Sequence, residues 1–334
     1  EYQRAITTYQ QALVILRETG DRQRERSVLR NLGDVYFAQG QYQQAIDFFQ
    51  QSLTVARELG DRQREASTVL AIGNANFALG RTQQAISLYQ QSLAISREIG
   101  DQQWEMNALG NLATAHKTLG EYSQAIEFHQ QALAIARKIG DRVGEGKILG
   151  NLGITYSDLT DYQAAISSYE QSLSISREWG DRQGEGVVLS YLGSVYASSG
   201  QYQKAIDLHQ RHLAIAKEIG DRRGEGSALS SLGNVYQDLS QYQSAIESYQ
   251  KSLGIARETG DRRGEGIALN NLGIISGRKG DYQGAVQFFQ DSLIIAREIG
   301  DRREEVRSLG HLGSAYGELG QYRQAIELQQ QALT

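Results

Sequence analysis

The sequence has no cysteine and no proline among its 334 residues, and only 22% of its residues are charged. Without cysteine there can be no disulfide framework, no thiolate zinc site and no cysteine nucleophile. The formal net charge of −5 is unlike the basic surface with which proteins bind nucleic acid. No uninterrupted apolar stretch of about 18 residues is present to cross a bilayer. We therefore predict a cytoplasmic protein that binds neither nucleic acid nor membrane.

Glycine is abundant and periodic, because a Gly-Asp pair recurs every 40 residues from Gly20-Asp21 to Gly300-Asp301 without an insertion. Such a period predicts one array of structural repeats rather than several globular domains. The array comprises residues 1–20, which correspond to the second helix of a repeat, then seven full repeats and a partial repeat at 301–334. The full repeats are 21–60, 61–100, 101–140, 141–180, 181–220, 221–260 and 261–300.

Each repeat has the apolar spacing of two amphipathic helices. In repeat 21–60, apolar residues spaced three or four apart predict helix A from about Gln23 to Gln39 and helix B from about Tyr42 to Leu59. Neither helix can bury its apolar stripe alone, so stacking on neighbouring repeats must complete the core. The sequence therefore predicts an all-α solenoid of antiparallel helix pairs.

Turn residues mark both ends of these helices. Gly20 and its copies can adopt the left-handed conformation after helix B, and Asp21 and its copies can cap the next helix A. The turn from A to B carries glycine at Gly40 and in most other repeats, but Thr160 and Ser240 replace it. We expect that the turns at those two positions do not require a positive φ.

One acidic position is identical in all eight A helices. Glu25 is the first, and an arginine such as Arg17 or Arg57 precedes this position near the end of most B helices. This pattern predicts a structural ladder of Arg–Glu pairs rather than a catalytic site. If exposed, such pairs contribute under about 1 kcal/mol each.

Small and large residues recur in a fixed order that resembles the tetratricopeptide repeat, as at Leu32, Gly33, Tyr36, Ala45 and Phe49. The repeats are longer than the family's usual form and lack its proline. They are similar to those of the Partner-of-Inscuteable adaptors and of bacterial, especially cyanobacterial, signalling proteins that carry NB-ARC, kinase or CHAT domains. The resemblance implies a right-handed superhelix with A helices on its concave face, and a function in binding polypeptides.

Positions 27, 30, 31, 34, 37 and 38 of the first full repeat, with their copies, share one face of helix A. Amides and hydroxyls dominate that face, and an amide can both donate to and accept from the backbone of an extended peptide. The candidate peptide-binding residues are Arg30, Asn31, Asp34, Asn74, Asn107, Asn111, Lys117, Lys147, Asn151, Tyr191, Asn234, Asn270, Asn271, Arg307 and His311. The alternative is that this face is only solvated.

The sequence indicates no catalytic residue, no metal site and no cofactor. Two of the five histidines, His129 and His209, occupy the core position of Phe49. The leading hypothesis is therefore a non-enzymatic scaffold that holds a peptide or protein segment.

Two alternatives remain open. The chain begins and ends within B helices and has no polar capping helix, so we expect a fragment of a longer array. Its uncovered terminal helices favour self-association or a spacer role. The third hypothesis is a sensor or regulatory arm of a bacterial multidomain signalling protein.

Overall fold

The computed structural model describes residues 2–333, which form seventeen α-helices. The chain divides into two compact blocks, one ending at Ser172 and the other beginning at Leu173. These are called the N-terminal block and the C-terminal block.

The N-terminal block alternates B and A helices in the predicted order. Its A helices are α2 (Arg22–Ala38), α4 (Arg62–Ala78), α6 (Gln102–Thr118) and α8 (Arg142–Asp158). Its B helices are α1 (Tyr2–Thr19), α3 (Tyr42–Glu58), α5 (Thr82–Ile99) and α7 (Tyr122–Ile139). Helix α9 (Tyr162–Glu178) contains the residue at which the blocks divide.

The C-terminal block continues the same alternation. Its A helices are α10 (Arg182–Ser198), α12 (Arg222–Asp238), α14 (Arg262–Arg278) and α16 (Arg302–Glu318). Its B helices are α11 (Tyr202–Ile219), α13 (Tyr242–Thr259), α15 (Tyr282–Ile299) and α17 (Tyr322–Leu333). The all-α solenoid of helix pairs is thereby confirmed.

Aspartate caps every A helix of residues 2–333, as predicted. The carboxylate of Asp21 accepts a hydrogen bond from the backbone N–H of Arg24 at 3.0 Å, and the copies of Asp21 accept the equivalent bond. This bond satisfies one of the N–H groups that a helix leaves unpaired at its first turn.

The expectation for the A-to-B turns without glycine is wrong. Thr160 and Ser240 adopt φ values of 60° and 59°, the same left-handed conformation as the glycines at the other turns. The reason is the bonding of the turn, because Thr160 N–H donates to Ser157 O as Gly40 N–H donates to Phe37 O, each at 2.9 Å. Turn closure thus outweighs the steric penalty of a side chain in this region.

A glycine in helix A brings most helix pairs into close contact, although Ala113 replaces it in repeat 101–140. A Cβ atom at Gly33 would lie 2.3 Å from the ring of Phe49, and one at Gly73 would lie 2.5 Å from the ring of Tyr89. Both rings are buried, with 1% and 2% of their surface exposed. Glycine at Gly33 and Gly73 is therefore a packing requirement.

The Arg–Glu ladder is present, but the expectation of exposed pairs is wrong. Glu25 is only 3% exposed, and the same position is buried in most other repeats. Its carboxylate accepts hydrogen bonds from Arg17 Nε at 3.0 Å and from Arg22, which also pairs with Glu58. This network therefore joins the preceding B helix, the A helix and the following B helix.

Two glycine variants in neighbouring repeats test the packing requirement. We expect Gly73→Ala to lower the free energy of unfolding by about 1–3 kcal/mol, because the added methyl group overlaps the Tyr89 ring. Gly110→Ala is the matched control, since no atom lies within 4 Å of its added Cβ. It should raise stability by up to about 1 kcal/mol through helix propensity. Urea unfolding of both variants makes the comparison, and equal stability of the two would contradict the packing role of Gly73.

Candidate functional site

The A helices of neighbouring repeats contact one another directly within each block. In the N-terminal block α4 contacts α6 and α6 contacts α8, and in the C-terminal block α10, α12, α14 and α16 form a continuous series. The side chains predicted to bind peptide lie mainly along these series. We call this surface, made by positions 27, 30, 31, 34, 37 and 38 of repeat 21–60 and their copies, the A-helix face.

In the N-terminal block, two predicted asparagines meet across adjacent repeats. The side-chain oxygen of Asn74 accepts hydrogen bonds from Tyr89 Oη at 3.0 Å and from Asn111 Nδ2 at 2.9 Å. Burial raises the pKa of Tyr89, so its hydroxyl stays protonated and can donate. Within residues 2–172, the Nδ2 of Asn74 and the Oδ1 of Asn111 keep no such partner. One donor and one acceptor thus lie side by side on the A-helix face.

The other predicted residues of the N-terminal block fall into two groups. Arg30 donates to Asp34 at 3.1 Å, and Asn31 shares a cavity with both. Lys117 donates to Asp158 in the next repeat at 3.2 Å, so its charge is already paired. Three further predicted residues line the face without forming a side-chain hydrogen bond within this block: Asn107, Lys147 and Asn151.

The C-terminal block repeats the asparagine arrangement. Asn234 Oδ1 accepts from Tyr249 Oη at 2.7 Å and from Asn271 Nδ2 at 3.4 Å. Tyr191 is 44% exposed on α10, and Arg307 pairs with Glu304 at 3.1 Å within α16. The face therefore presents the same amide geometry in both blocks.

Asn270 does not lie on the exposed face, contrary to prediction, because it is only 1% exposed. Its Oδ1 lies 2.9 Å from His311 Nδ1, and its Nδ2 donates to Ser308 Oγ at 3.1 Å. Ser308 in turn bonds Ser292, which donates to the carbonyl of Gly266. Asn270 therefore orients His311 from behind instead of contacting a ligand.

The chain of bonds behind His311 defines its tautomer. Burial, with a smaller effect from Arg307, lowers the pKa of His311, so the ring is neutral at pH 7. Asn270 Oδ1 can only accept, so the single ring proton lies on Nδ1. The Nε2 atom is then a hydrogen-bond acceptor, and it has no protein partner within residues 173–333. His311 thus offers one fixed acceptor.

His311 lies at the edge of an open cavity of about 340 Å³ on the A-helix face. The cavity lies among α12, α14, α15 and α16, and apolar side chains form much of its lining. Its lining residues are Gln237, Gly273, Ile274, Gly277, Arg278, Tyr282, Ala285, Phe289, His311, Ser314, Ala315 and Glu318. Charged groups of both signs, Arg278 and Glu318, accompany the apolar lining.

One side-chain difference between repeats 21–60 and 261–300 lies in this cavity. In repeat 21–60, Phe37 packs edge-on against Tyr42 with ring centroids 5.2 Å apart. The equivalent pair in repeat 261–300 is Gly277 and Tyr282, and both line the cavity. Gly277 therefore contributes no side chain to this space.

Sequence reasoning missed most residues of this cavity, although a signal was present. Ser276 and Gly277 replace an aromatic pair that repeat 21–60 carries at Tyr36 and Phe37. The small side chain at the Tyr36 position, where five of the eight repeats carry tyrosine, indicates missing packing volume on this helix. The other side chains that line the cavity are brought together by the stacking of α14 against α16, and the sequence of one helix does not show this.

Two histidines take the place of core aromatic rings, as predicted. His129 and His209 are each 1% exposed, and their Nδ1 atoms have no hydrogen-bond partner within residues 2–333. Burial lowers the pKa of each to about 4, with a smaller effect from Lys117 on His129 and from His212 on His209. Both rings are neutral at pH 7.

Further properties of residues 2–333 bear on function. No group of three or more metal-ligating side chains is assembled among them. None of the helices described is both long and apolar enough to cross a membrane.

The fold and the A-helix face together define a helical-repeat scaffold of a kind suited to protein interaction. A tetratricopeptide repeat family model matches the sequence from end to end, so the chain belongs to the tetratricopeptide repeat family. The matched residues are 1–58, 64–138, 125–178, 144–218, 184–258, 224–297 and 264–334. This fold is typically a non-catalytic interaction scaffold. No curated protein matches the sequence.

Solved structures show the same fold at low sequence identity. One is a STAND signal-transduction ATPase from Pyrococcus horikoshii with a tetratricopeptide repeat sensor, at TM-score 0.68 and 18% identity, covering 99% of this chain and 53% of that one. The apo quorum sensor NprR from B. thuringiensis has TM-score 0.65 and 16% identity, with 99% and 97% coverage. BtubC from P. vanneervenii has TM-score 0.60 and 21% identity, with 66% and 92% coverage.

The buried histidines predict a loss of stability in mild acid. Their folded pKa of about 4 lies below the unfolded value of about 6.5, so the unfolded state binds more protons between these values. Stability is therefore complete above the unfolded pKa and falls as the pH drops toward the folded pKa. From about pH 7 to about pH 5, His209 should account for a loss of about 2 kcal/mol.

Replacing His209 by Phe, the residue at the equivalent Phe49 and Phe289, should remove that part of the loss in urea unfolding. Tyr249→Phe is the control, because it places the same ring at the same position without removing a histidine. An unchanged pH dependence in His209→Phe would show that this ring is not buried in the neutral form.

Proposed function

We propose that the chain is a non-enzymatic scaffold that binds an extended segment of a partner protein on the A-helix face of the C-terminal block. The observation that carries the proposal is the open cavity beside His311. Its volume of about 340 Å³ is at the lower end of the range for ligand pockets. An apolar side chain of the partner would fill it, in contact with Ile274 and Phe289.

Backbone groups of the partner have suitable bonding sites nearby on the same helix. Asn271, Ile274 and Gly277 lie on one face of α14, because they are spaced three residues apart. The free amide groups of Asn234 and Asn271 supply a donor and an acceptor, and His311 Nε2 supplies a second acceptor. Such groups bind peptide backbone with little regard to sequence, so the apolar cavity would provide the selectivity.

A sensor role is one form that this binding could take. The STAND protein carries a tetratricopeptide repeat sensor and NprR is a quorum sensor, and both share this fold. Ligand capture by the A-helix face would be the input step of such a role.

A substitution that fills the cavity and leaves its other lining side chains unchanged tests the proposal. Gly277→Phe introduces the side chain that Phe37 carries at the equivalent position, and the nearest atom to the added Cβ is Ala285 Cβ at 3.9 Å. Peptides selected from a displayed random library on the wild-type chain should bind this variant about 10-fold to 100-fold more weakly, as loss of one buried apolar side chain implies.

Gly317→Phe is the matched control, because the same side chain enters one repeat later, where no atom lies within 4 Å. Its affinity for the selected peptides should equal that of the wild type. Selected peptides that bind Gly277→Phe and the wild type equally would refute the cavity as the binding site.

The second candidate function, self-association, is favoured by the apolar surface of the two terminal helices. Ile15 of α1 is 59% exposed, and Ile326 of α17 is 57% exposed. Contact between α1 of one molecule and α17 of another would cover these side chains in a head-to-tail assembly.

Sedimentation of the full chain over a wide concentration range tests this second candidate. Ile326→Glu should abolish association, whereas Ile294→Glu should not, although Ile294 on α15 is equally accessible at 62%. A wild-type chain that stays monomeric at every concentration would rule out this function.

A further inference from the structure

A second cavity, of about 280 Å³, lies on the A-helix face of the N-terminal block. Three arginines line it, Arg26 and Arg30 from α2 and Arg64 from α4. Hydroxyl groups lie among them, including that of Ser27, and Trp104 of α6 lines the cavity as well.

Arg26 departs from the repeat pattern. Its equivalents in the other repeats are small or apolar: Ala66, Met106, Gly146, Gly186, Gly226, Gly266 and Val306. Packing of this position therefore does not require a charge. Arg26 is nevertheless only 8% exposed, so its guanidinium lies at a buried position that is small or apolar in every other repeat.

The guanidinium of Arg26 is poorly satisfied by the protein. Its Nε is buried with no hydrogen-bond partner among residues 2–333. Its Nη2 reaches Ser27 Oγ only at 3.5 Å, and its Nη1 lies 3.9 Å from Asp61 Oδ2, beyond hydrogen-bond distance. A guanidinium has five N–H donors, and a buried cation without partners is destabilising. An anionic ligand would supply the missing acceptors.

Positive charge exceeds negative charge around this cavity. Asp34 is the acidic side chain of the lining, and it already accepts from Arg30 Nε at 3.1 Å and 3.2 Å. Arg30 is held in place, because its Nη1 also donates to the carbonyl of Ser67 at 3.1 Å. Burial lowers the pKa of Arg26, and Arg64 lowers it further, while Asp61 only partly opposes them.

We propose that this cavity binds a phosphoryl group, coordinated by Arg26, Arg30 and Arg64. A phosphoryl group carries close to two negative charges at pH 7 and three strong acceptor oxygens. These match three arginines, of which Arg30 is paired with Asp34 and Arg26 has only the 3.9 Å contact with Asp61. A carboxylate brings a single charge, and Asp34 already provides one. The site is in the N-terminal block and does not rest on the peptide-binding proposal.

Trp104 provides the readout. Inorganic phosphate is titrated into the full chain carrying Trp179→Phe, so that Trp104 is the remaining tryptophan, with sodium chloride holding ionic strength constant. Saturable quenching or enhancement is expected with phosphate, and a much weaker response with acetate. Failure of phosphate to bind, or equal binding of acetate and phosphate, would overturn the proposal.

Variants assign the response to the three arginines. Arg26→Met uses the residue of the equivalent Met106, and it should bind phosphate at least 10-fold more weakly while unfolding at the same or a higher temperature. Arg24→Met is the control, because Arg24 is exposed on the same helix and does not line the cavity. Equal affinity of these two variants would refute the site.

Two further variants test the site at other residues, so that the result does not depend on the folding of one variant. A phosphoserine peptide then identifies the source of the phosphoryl group. Arg64→Gln alters an exposed side chain and should also weaken phosphate binding, whereas Asp34→Asn should strengthen it by removing the competing carboxylate. A phosphoserine peptide that binds more tightly than inorganic phosphate, with the same loss in Arg26→Met, would identify a protein segment as the source. Tighter binding of inorganic phosphate would identify the free ion.

Discussion

The repeated structure depends on a buried carboxylate at the start of most A helices. Glu25 is one of them, and arginines from two helices neutralise it. Burial raises the pKa of Glu65, but the hydrogen bonds of Arg57 and Arg62 outweigh this effect and lower it overall. Loss of one arginine would leave a buried charge incompletely paired, so the network holds three consecutive helices in a single geometry.

Regular packing of this kind makes its exceptions informative. The ring of Phe49 packs directly against Gly33, so no space is left between the two helices there. Arg26 inserts a charge at a buried position that is small or apolar in every other repeat, and Gly277 lacks the ring that Phe37 carries in repeat 21–60. Both proposed binding sites lie at these residues.

Helix pairs, caps and core positions followed from the sequence because they depend on spacing within one repeat. Asp21 caps its helix and His209 replaces a core ring, as predicted. The site was predicted less completely. Asn74 and Asn111 do meet, as do Asn234 and Asn271, but Asn270 is buried and the cavity beside His311 was not foreseen. Helical spacing identifies a face, whereas the degree of burial within that face depends on the neighbouring helix.

Sequence periodicity alone determined the family, the order of the helices and the residues of each amphipathic stripe, because these follow from backbone geometry that every repeat shares. Stacking decided the rest. It buried Glu25 and turned Asn270 inward to orient His311. Each of these outcomes depends on contacts between helices that are distant in the repeat or belong to different repeats. The free energy of such contacts is absent from any single helix, so only the assembled fold could establish them.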